Sequence, residues 1–345
     1  MAGQLKLGLA LSYWSAGPPP GLAELVATAE GLGYESMWAA EAYGSDALTP
    51  LAWLGSRTTR MRLGTGIAQM SARTPVATAM AAMTLDHLSG GRFVLGLGAS
   101  GPQVVEGWYG QPYPRPLERT REYVAIVRQV LARERVAYHG KHYQLPHPGG
   151  TGLGKALRST VHPLRTDLPV MLAAEGPRNV ALAAEIADGW ISVFYPARDD
   201  AFYRKALAEG FSRPGARHTQ DAFEVTCKVE VEIADDVEAA ADRVRPLLAL
   251  YVGGMGAKGA NFHYEVFARM GFEAACTRVQ DLYLAGHKAE AAAAVPLAMV
   301  EAVALVGPPA KIADDLAAWR ESAVTTLLVS GDVAKLAAIA DLVHR

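Results

Sequence analysis

Cysteine is scarce in this 345-residue chain: Cys227 and Cys276 are the two it has, and no paired spacing links them. That speaks against a disulfide framework or a zinc site and fits two inert thiols in a reducing compartment. An excess of one charge is also missing. Lys and Arg number 33 against 35 Asp and Glu, for a net charge of −2. Nucleic acid is therefore not expected as a partner, since its recognition needs a basic face. No apolar run approaches the roughly 20 residues of a membrane span, so no membrane partner is expected either. Lys6 precedes a short apolar run at 7–11, but one charge and no clean small-residue cleavage site make this a first buried strand rather than a leader. The chain reads as cytoplasmic. Catalytic polar sets are thin as well: there is no recognisable Ser-His-Asp or Cys-His arrangement and no cluster of metal ligands, so no metal is expected.

What the chain has in quantity is apolar residues, half of the total, arranged in a repeating order of strand and helix. Short apolar runs at 6–11, 35–40, 61–68, 93–97, 169–173, 190–194, 223–233 and 325–329 read as strands. Helical patterns lie between most of them. Gly33 closes the first helix, Asp46 can cap the second, and Thr74-Pro75 opens the third. Two stretches depart from the alternation. One, 138–166, is rich in Gly, Pro and His and reads as an inserted loop; the other, 253–295, reads as a helical insertion. Repeated βα units imply a parallel sheet, and eight of them suggest a closed (β/α)8 TIM barrel forming a single domain over 1–345. An open doubly wound sheet is the alternative.

Three glycine-bearing strand ends carry the chemistry. Gly96-Leu97-Gly98-Ala99-Ser100-Gly101 fits the dinucleotide pattern G-x-G-x-x-G. It falls in the fourth βα unit rather than the first, however, and Pro102, Gly107, Gly110 and Pro112 interrupt the helix that should begin at its third glycine. A simple turn, or a barrel-rim loop whose backbone approaches a flat cofactor, fits better. Ala173 to Asn179, AAEGPRN, places a glycine and an arginine at a helix start, which is either an anion site or an ordinary βα turn. Gly64 and Gly66 in the third strand mark a bulge or a close backbone approach. Polar groups at the rim are sparse: Tyr13, Trp14, Glu41, Tyr43, Gln69, Glu106, Tyr109, Tyr195 and His263. A lone histidine such as His263 is more often a packing residue than a catalyst. Sparse acid–base equipment beside small residues and aromatics suits an enzyme whose cofactor does the chemistry.

These residues carry a resemblance. SYWSA at 12–16, AAEAYGSDALTPLAW at 39–53, LGTGIAQMSARTP at 63–75, the stretch from Leu85 to Gly110, AAEGPRNVALAAEIADGW at 173–190, LYVGGMGAKGANFH at 250–263 and EAVALVGPPAKI at 301–312 together resemble the luciferase-like flavin and deazaflavin oxidoreductases. They are most similar to the branch that uses coenzyme F420. The resemblance implies a (β/α)8 barrel with inserted segments, a homodimer, and a cis peptide bond at Gly66–Ile67 under the deazaflavin. It implies that Glu41, Gly98, Ala99 and Ser100 line the cofactor ring, and that Ala174, Glu175, Gly176, Pro177 and Arg178 hold its tail and phosphate. The chain departs from the family where specific activities are set. Sugar-phosphate oxidisers carry a histidine where this chain has Ala42 and an acid where it has Gly101; methylene-pterin reducers carry a glutamate where it has Ala10. Glu106, Tyr109 and Tyr13 are the candidate catalytic substitutes. The expected function is hydride transfer between F420 and an apolar or aromatic small molecule in a pocket under the two insertions. The alternatives are an FMN-dependent monooxygenase with a separate reductase, and a flavin- or deazaflavin-binding protein without turnover.

Overall fold

The computed structural model describes residues 5–11, 13–256 and 258–344. Ser12 of the SYWSA stretch and Ala257 of the second insertion lie outside these. Eight parallel strands close into a barrel: β1 (Lys6–Ala10), β2 (Ser36–Ala39), β3 (Arg62–Thr65), β4 (Phe93–Gly98), β5 (Val170–Ala173), β6 (Gly189–Val193), β7 (Glu224–Lys228) and β8 (Thr326–Val329). Each strand pairs with its neighbours in sequence, and β8 returns to pair with β1. Helices α1 (Leu22–Gly31), α2 (Leu48–Gly55), α3 (Pro75–Leu88), α4 (Pro116–Leu131), α5 (Pro177–Ile186) and α6 (Ala201–Phe211) cover the outside, with Pro309–Glu321 and Val333–His344 completing the ring.

Alternation along each strand divides the barrel wall into two faces. Leu7 and Leu9, Met37, Phe93 and Leu95, Val170 and Leu172, and Leu327 point outward into the core shared with the helices. Trp38, Val94, Met171, Ile191 and Leu328 fill the interior. The bulk of Trp38 explains Gly64, and Leu328 explains Gly8. A Cβ on Gly64 would meet the Trp38 ring at 2.3 Å, and a Cβ on Gly8 would lie 2.4 Å from Leu328. Gly64 is therefore a close approach, not a bulge; the chain departs from regular pairing only afterwards, at the cis peptide Gly66–Ile67.

The apolar run at 223–233 is not one strand. β7 ends at Lys228, and Val231–Ile233 leaves the barrel to pair with Leu305–Gly307. In–out alternation continues across the switch, so periodicity alone carries no mark of it. Between these two short strands the chain forms helices with their own core, including Val244, Leu248, Val266, Phe267, Val279, Met299 and Val300. The other insertion, 138–166, starts with a small hairpin, Tyr138–His139 against Gln144–Leu145. Its turn is held by Glu122, whose carboxylate accepts from the N–H groups of Lys141, His142 and Tyr143, all at 2.9 Å. The segment then runs to the far end of the barrel, where Arg165 pairs with buried Asp86 and donates to the Phe93 carbonyl at 2.8 Å.

That far end is held by charge. Asp188, just before β6, accepts from Val170 N at 2.7 Å, from Arg217 Nε at 2.6 Å, and from Arg128. His218 Nε2 lies 2.6 Å from the same carboxylate. Burial alone would raise the pKa of this group, but Arg128, the Val170 N–H, Arg217 and His218 hold it below the usual carboxylate range. A depressed folded-state value contributes stability that is present above the unfolded value, about pH 4, and is lost as pH falls through the folded one. Asp188→Asn is expected to lower stability at neutral pH by about 2 kcal/mol and to flatten the acid limb of the stability–pH curve. Urea denaturation between neutral and acid pH checks both.

Candidate active site

The C-terminal ends of the strands open into one cleft of about 1110 Å³. In barrels of this kind the strand ends deliver side chains and loops to the site. All eleven residues expected to contact the cofactor line it: Glu41, Gly66, Ile67, Gly98, Ala99, Ser100, Ala174, Glu175, Gly176, Pro177 and Arg178.

The floor is built from rims two, three and four. Glu41 follows β2 and is buried. Its carboxylate accepts two bonds from Arg73, Nη1 at 2.8 Å and Nη2 at 2.7 Å, and one from Gln69 N at 2.8 Å. Gln69 Nε2 in turn donates to the Glu41 carbonyl at 3.0 Å and to Ser100 Oγ at 3.2 Å. The hydrogen bond from Arg73 to Glu41, with the charges of Glu41 and Asp46, outweighs burial and raises the Arg73 guanidinium above its ordinary value. Glu41 is thus a brace across three rims, and both its oxygens are engaged. Ile67 sits against Gly98, where any Cβ would come within 2.7 Å of it. Ser100 holds a left-handed backbone, φ 58°, a conformation that costs a non-glycine residue energy and collects at functional sites.

Opposite the floor, α5 starts at Pro177 with no side chain capping its N-terminus. Arg178 is exposed there, and a Cβ on Gly176 would meet nothing. The positive end of the helix dipole, an arginine and open space make this end receptive to an anion. The roof comes from the second insertion, beginning earlier than 253: Val244, Leu247, Tyr251, Met255, Phe262 and His263 all face the cleft. Nothing from 138–166 lines this cleft. The expectation of a pocket beneath both insertions is corrected here, because Arg165 anchors the first one at the opposite end of the barrel.

The three candidate catalytic residues part company. Tyr13 lines the cleft but is 58% exposed. Glu106 is exposed on the short helix Pro102–Gly107 and is not among the residues lining the cleft; its Oε1 accepts a long bond from Tyr113 N at 3.4 Å. Tyr109 also lies off the cleft lining and donates to the Ala42 carbonyl at 3.0 Å, tying rim four to rim two. Burial and the nearby Glu41 carboxylate push its phenol up. Tyr195 is fully buried, with its hydroxyl donating to Asp200 at 2.7 Å, outside the cleft. Burial pushes the thiols of Cys227 and Cys276 up to about 12, so neither is a nucleophile at neutral pH.

Sequence reasoning passed over Arg73 and Tyr113. Arg73 is one cation among 33, and its partner is 32 residues away. The available signal was a lone acid at a strand end, which needs a counter-ion if buried. Tyr113 donates to the Ser100 carbonyl at 3.2 Å and helps hold the left-handed turn. His263, read as packing, is buried in the cleft wall. Four cleft side chains keep a buried polar atom without a partner among the described residues: Gln69 Oε1, Ser192 Oγ, Glu175 Oε2 and His263 Nδ1. An unpaired buried polar atom costs on the order of 1–3 kcal/mol, which a polar ligand would offset.

Residues 9–326 match the family described as luciferase-like monooxygenase. A Mycobacterium tuberculosis protein named as a provisional coenzyme F420-dependent oxidoreductase is 54% identical over 338 residues, covering 97% of each chain. The F420-dependent glucose-6-phosphate dehydrogenase of Kineococcus radiotolerans is 28% identical over 70% of this chain and 72% of its own. Among solved structures, the coenzyme F420-dependent tetrahydromethanopterin reductase of Methanopyrus kandleri superposes with a TM-score of 0.80 at 22% identity, covering 98% of both chains.

Proposed function

Since the chain belongs to the luciferase-like monooxygenase family, we propose that it is a coenzyme F420-dependent oxidoreductase that moves a hydride between the deazaflavin and an apolar or aromatic small molecule. The observation that carries this reading is the single cleft in which all eleven residues implied for the cofactor converge. The site fits the group: Gly66, Ile67 and Gly98 to Ser100 line a cleft of about 1110 Å³, and the N-terminus of α5 with Arg178 suits a phosphate.

Bound there, F420 would supply or accept the hydride. The chain's own work is positioning. The floor at Gly66, Ile67 and Gly98 to Ser100 would set the height of the ring, and the brace Arg73–Glu41–Gln69–Ser100 keeps that floor rigid. Tyr13, Tyr251, Met255 and Phe262 line an apolar side of the cleft that would hold the substrate. We also place the protein in the cytoplasm as a homodimer. Exposed Trp53 on α2 with Met80 and Leu88 on α3 supports self-association, and light scattering tests it. No described helix is long and apolar enough to cross a membrane.

Titration with F420, FMN and NADPH tests the cofactor. F420 is expected to bind, and binding of FMN without F420 overturns the reading. Arg178→Ala is expected to weaken F420 binding by about 1–2 kcal/mol, roughly tenfold, with no loss of thermal stability because the side chain is exposed. Unchanged affinity would remove Arg178 from the phosphate site.

A further inference from the structure

One buried titratable pair in the cleft joins Glu175, a residue expected at the cofactor tail, to His263, which has no part in the brace or the tail site. His263 is 6% exposed, and its Nδ1 lies 2.8 Å from Glu175 Oε1. The two are close without hydrogen-bond alignment: Nδ1 and the other carboxylate oxygen, Oε2, both lack a partner among the described residues. The pair spans two distant parts of the chain. Glu175 follows β5, whereas His263 sits on the short helix Phe262–Phe267 of the second insertion. Asn261 fixes that helix. Its Oδ1 accepts from His263 N at 2.9 Å, and its Nδ2 donates to the carbonyls of Tyr251 at 2.9 Å and Val252 at 2.8 Å.

The surroundings are apolar and aromatic. The His263 ring packs against Phe262, Tyr251 and Phe194, with centroids 4.5, 4.7 and 5.8 Å away. Phe262 lies over Gly101, 3.4 Å from where a Cβ would be. The insertion therefore brings its histidine to the rim-four loop, where no side-chain acid projects from position 101. Two phenols and a guanidinium face the pair. Tyr203 and Tyr251 are pushed up by burial, Tyr203 to about 12, and Arg269 donates to the Glu175 carbonyl at 3.1 Å.

Apart from Tyr13, which is 58% exposed, the other groups named for proton transfer are engaged or lie off the cleft. Both Glu41 oxygens are held by Arg73, Glu106 and Tyr109 lie off the cleft lining, and Lys228 is paired with Glu230 at 3.0 Å. We infer that His263, beside Glu175 in the cleft wall, is the proton donor and acceptor for the substrate, which is a carbonyl or imine compound with apolar substituents, or the matching alcohol or amine. This rests on the deazaflavin reading. In the reducing direction, the carbon of the C=O or C=N bond takes a hydride from reduced F420, and the π pair of that bond moves to the heteroatom. The N–H bond of protonated His263 breaks, its electron pair stays on the ring, and its proton bonds to the heteroatom. The two electrons gained by the substrate are those lost by the deazaflavin, which also releases one proton to solvent, and solvent recharges the imidazole.

The test uses the full chain, wild type and the variants His263→Gln and Glu175→Gln. Three quantities are read: the Kd for F420, a nitrogen-15 histidine NMR titration, and single-turnover oxidation of bound reduced F420 by a panel of ketones, aldehydes and imines across pH. His263→Gln is expected to keep F420 affinity within about threefold. His263→Gln is expected to slow the single turnover at least about a hundredfold and to abolish its pH dependence. Glu175→Gln is expected to move both the His263 NMR midpoint and the pH profile to lower pH, because an anion beside the ring no longer favours the imidazolium. An unchanged His263→Gln rate, or a His263 midpoint indifferent to Glu175→Gln, overturns the inference. A wild type that holds reduced F420 but reacts with none of the panel overturns the substrate class. A wild type that does not bind F420 fails at the earlier reading instead.

Discussion

Arg73→Met is expected to destabilise the protein by about 3 kcal/mol and to loosen the cofactor floor at the same time. The Glu41 side chain is 5% exposed, and Arg73 is its one cationic partner among the described residues. Removing the guanidinium leaves a carboxylate in a low-dielectric wall with only the Gln69 N–H to hold it, and an uncompensated buried charge is among the costliest single defects. The damage spreads because Gln69 joins the Glu41 carbonyl to Ser100 Oγ. Adding Glu41→Gln to Arg73→Met should restore part of the stability, since the stranded charge is gone. It should not restore F420 affinity, since the brace is gone too. Urea denaturation and F420 titration of the single and double variants separate the two effects; a single variant as stable as wild type would show that the pair contributes nothing net.

Gly96→Ala is expected to be the most damaging of the glycine substitutions in the barrel wall, costing at least about 3 kcal/mol or preventing soluble expression. Its Cβ would lie 1.9 Å from the Thr65 carbonyl oxygen and 2.6 Å from Ile191 Cδ1. The first of these is backbone and cannot rotate away. This is also where the barrel ring closes. The β3–β4 ladder runs through Leu63↔Phe93 and Gly64↔Val94. Beyond it the Thr65 hydroxyl takes over, donating to the Gly96 carbonyl at 2.7 Å and accepting from Gly96 N at 2.8 Å. Pairing resumes with Ala68↔Leu97 and Gln69↔Gly98. Thr65 thus bridges the gap that Gly66–Ile67 leaves as it turns into the cleft. Gly98→Ala should be milder, because its clash is with the Ile67 side chain at 2.7 Å; it should weaken cofactor binding more than folding. A Gly96→Ala protein with wild-type denaturation behaviour would show that the seam yields more than its geometry implies.

The barrel was legible from local information. Apolar runs bounded by glycines, helix caps at Asp46 and Thr74 and a prolyl helix start at Pro177 are nearest-neighbour signals, and every barrel strand they implied is present. The convergence of the eleven residues proposed for the cofactor was legible for a related reason: they sit in short motifs at strand ends, and strand ends of a barrel converge whatever the loops do. The split of 223–233 was not legible, because in–out alternation is the same in the barrel and in the outlying pair. Nor was the position of 138–166, which depends on Arg165 finding an aspartate 79 residues earlier in the chain.

The acid–base groups were the least legible of all. Sequence placed Glu106 and Tyr109 near the site because they come soon after β4. Closeness in sequence sets neither the direction of a side chain nor its burial, and both residues lie off the cleft lining. Glu41–Arg73 and Glu175–His263 are pairs across 32 and 88 residues respectively. What this sequence by itself determined is a (β/α)8 barrel with a glycine-lined rim, because strand and helix patterns and tight turns are encoded within a few residues. Which charges are buried, which of them meet and which histidine reaches the rim were decided only by the tertiary structure, because desolvation and ion pairing depend on neighbours that the closed barrel and its insertion bring together.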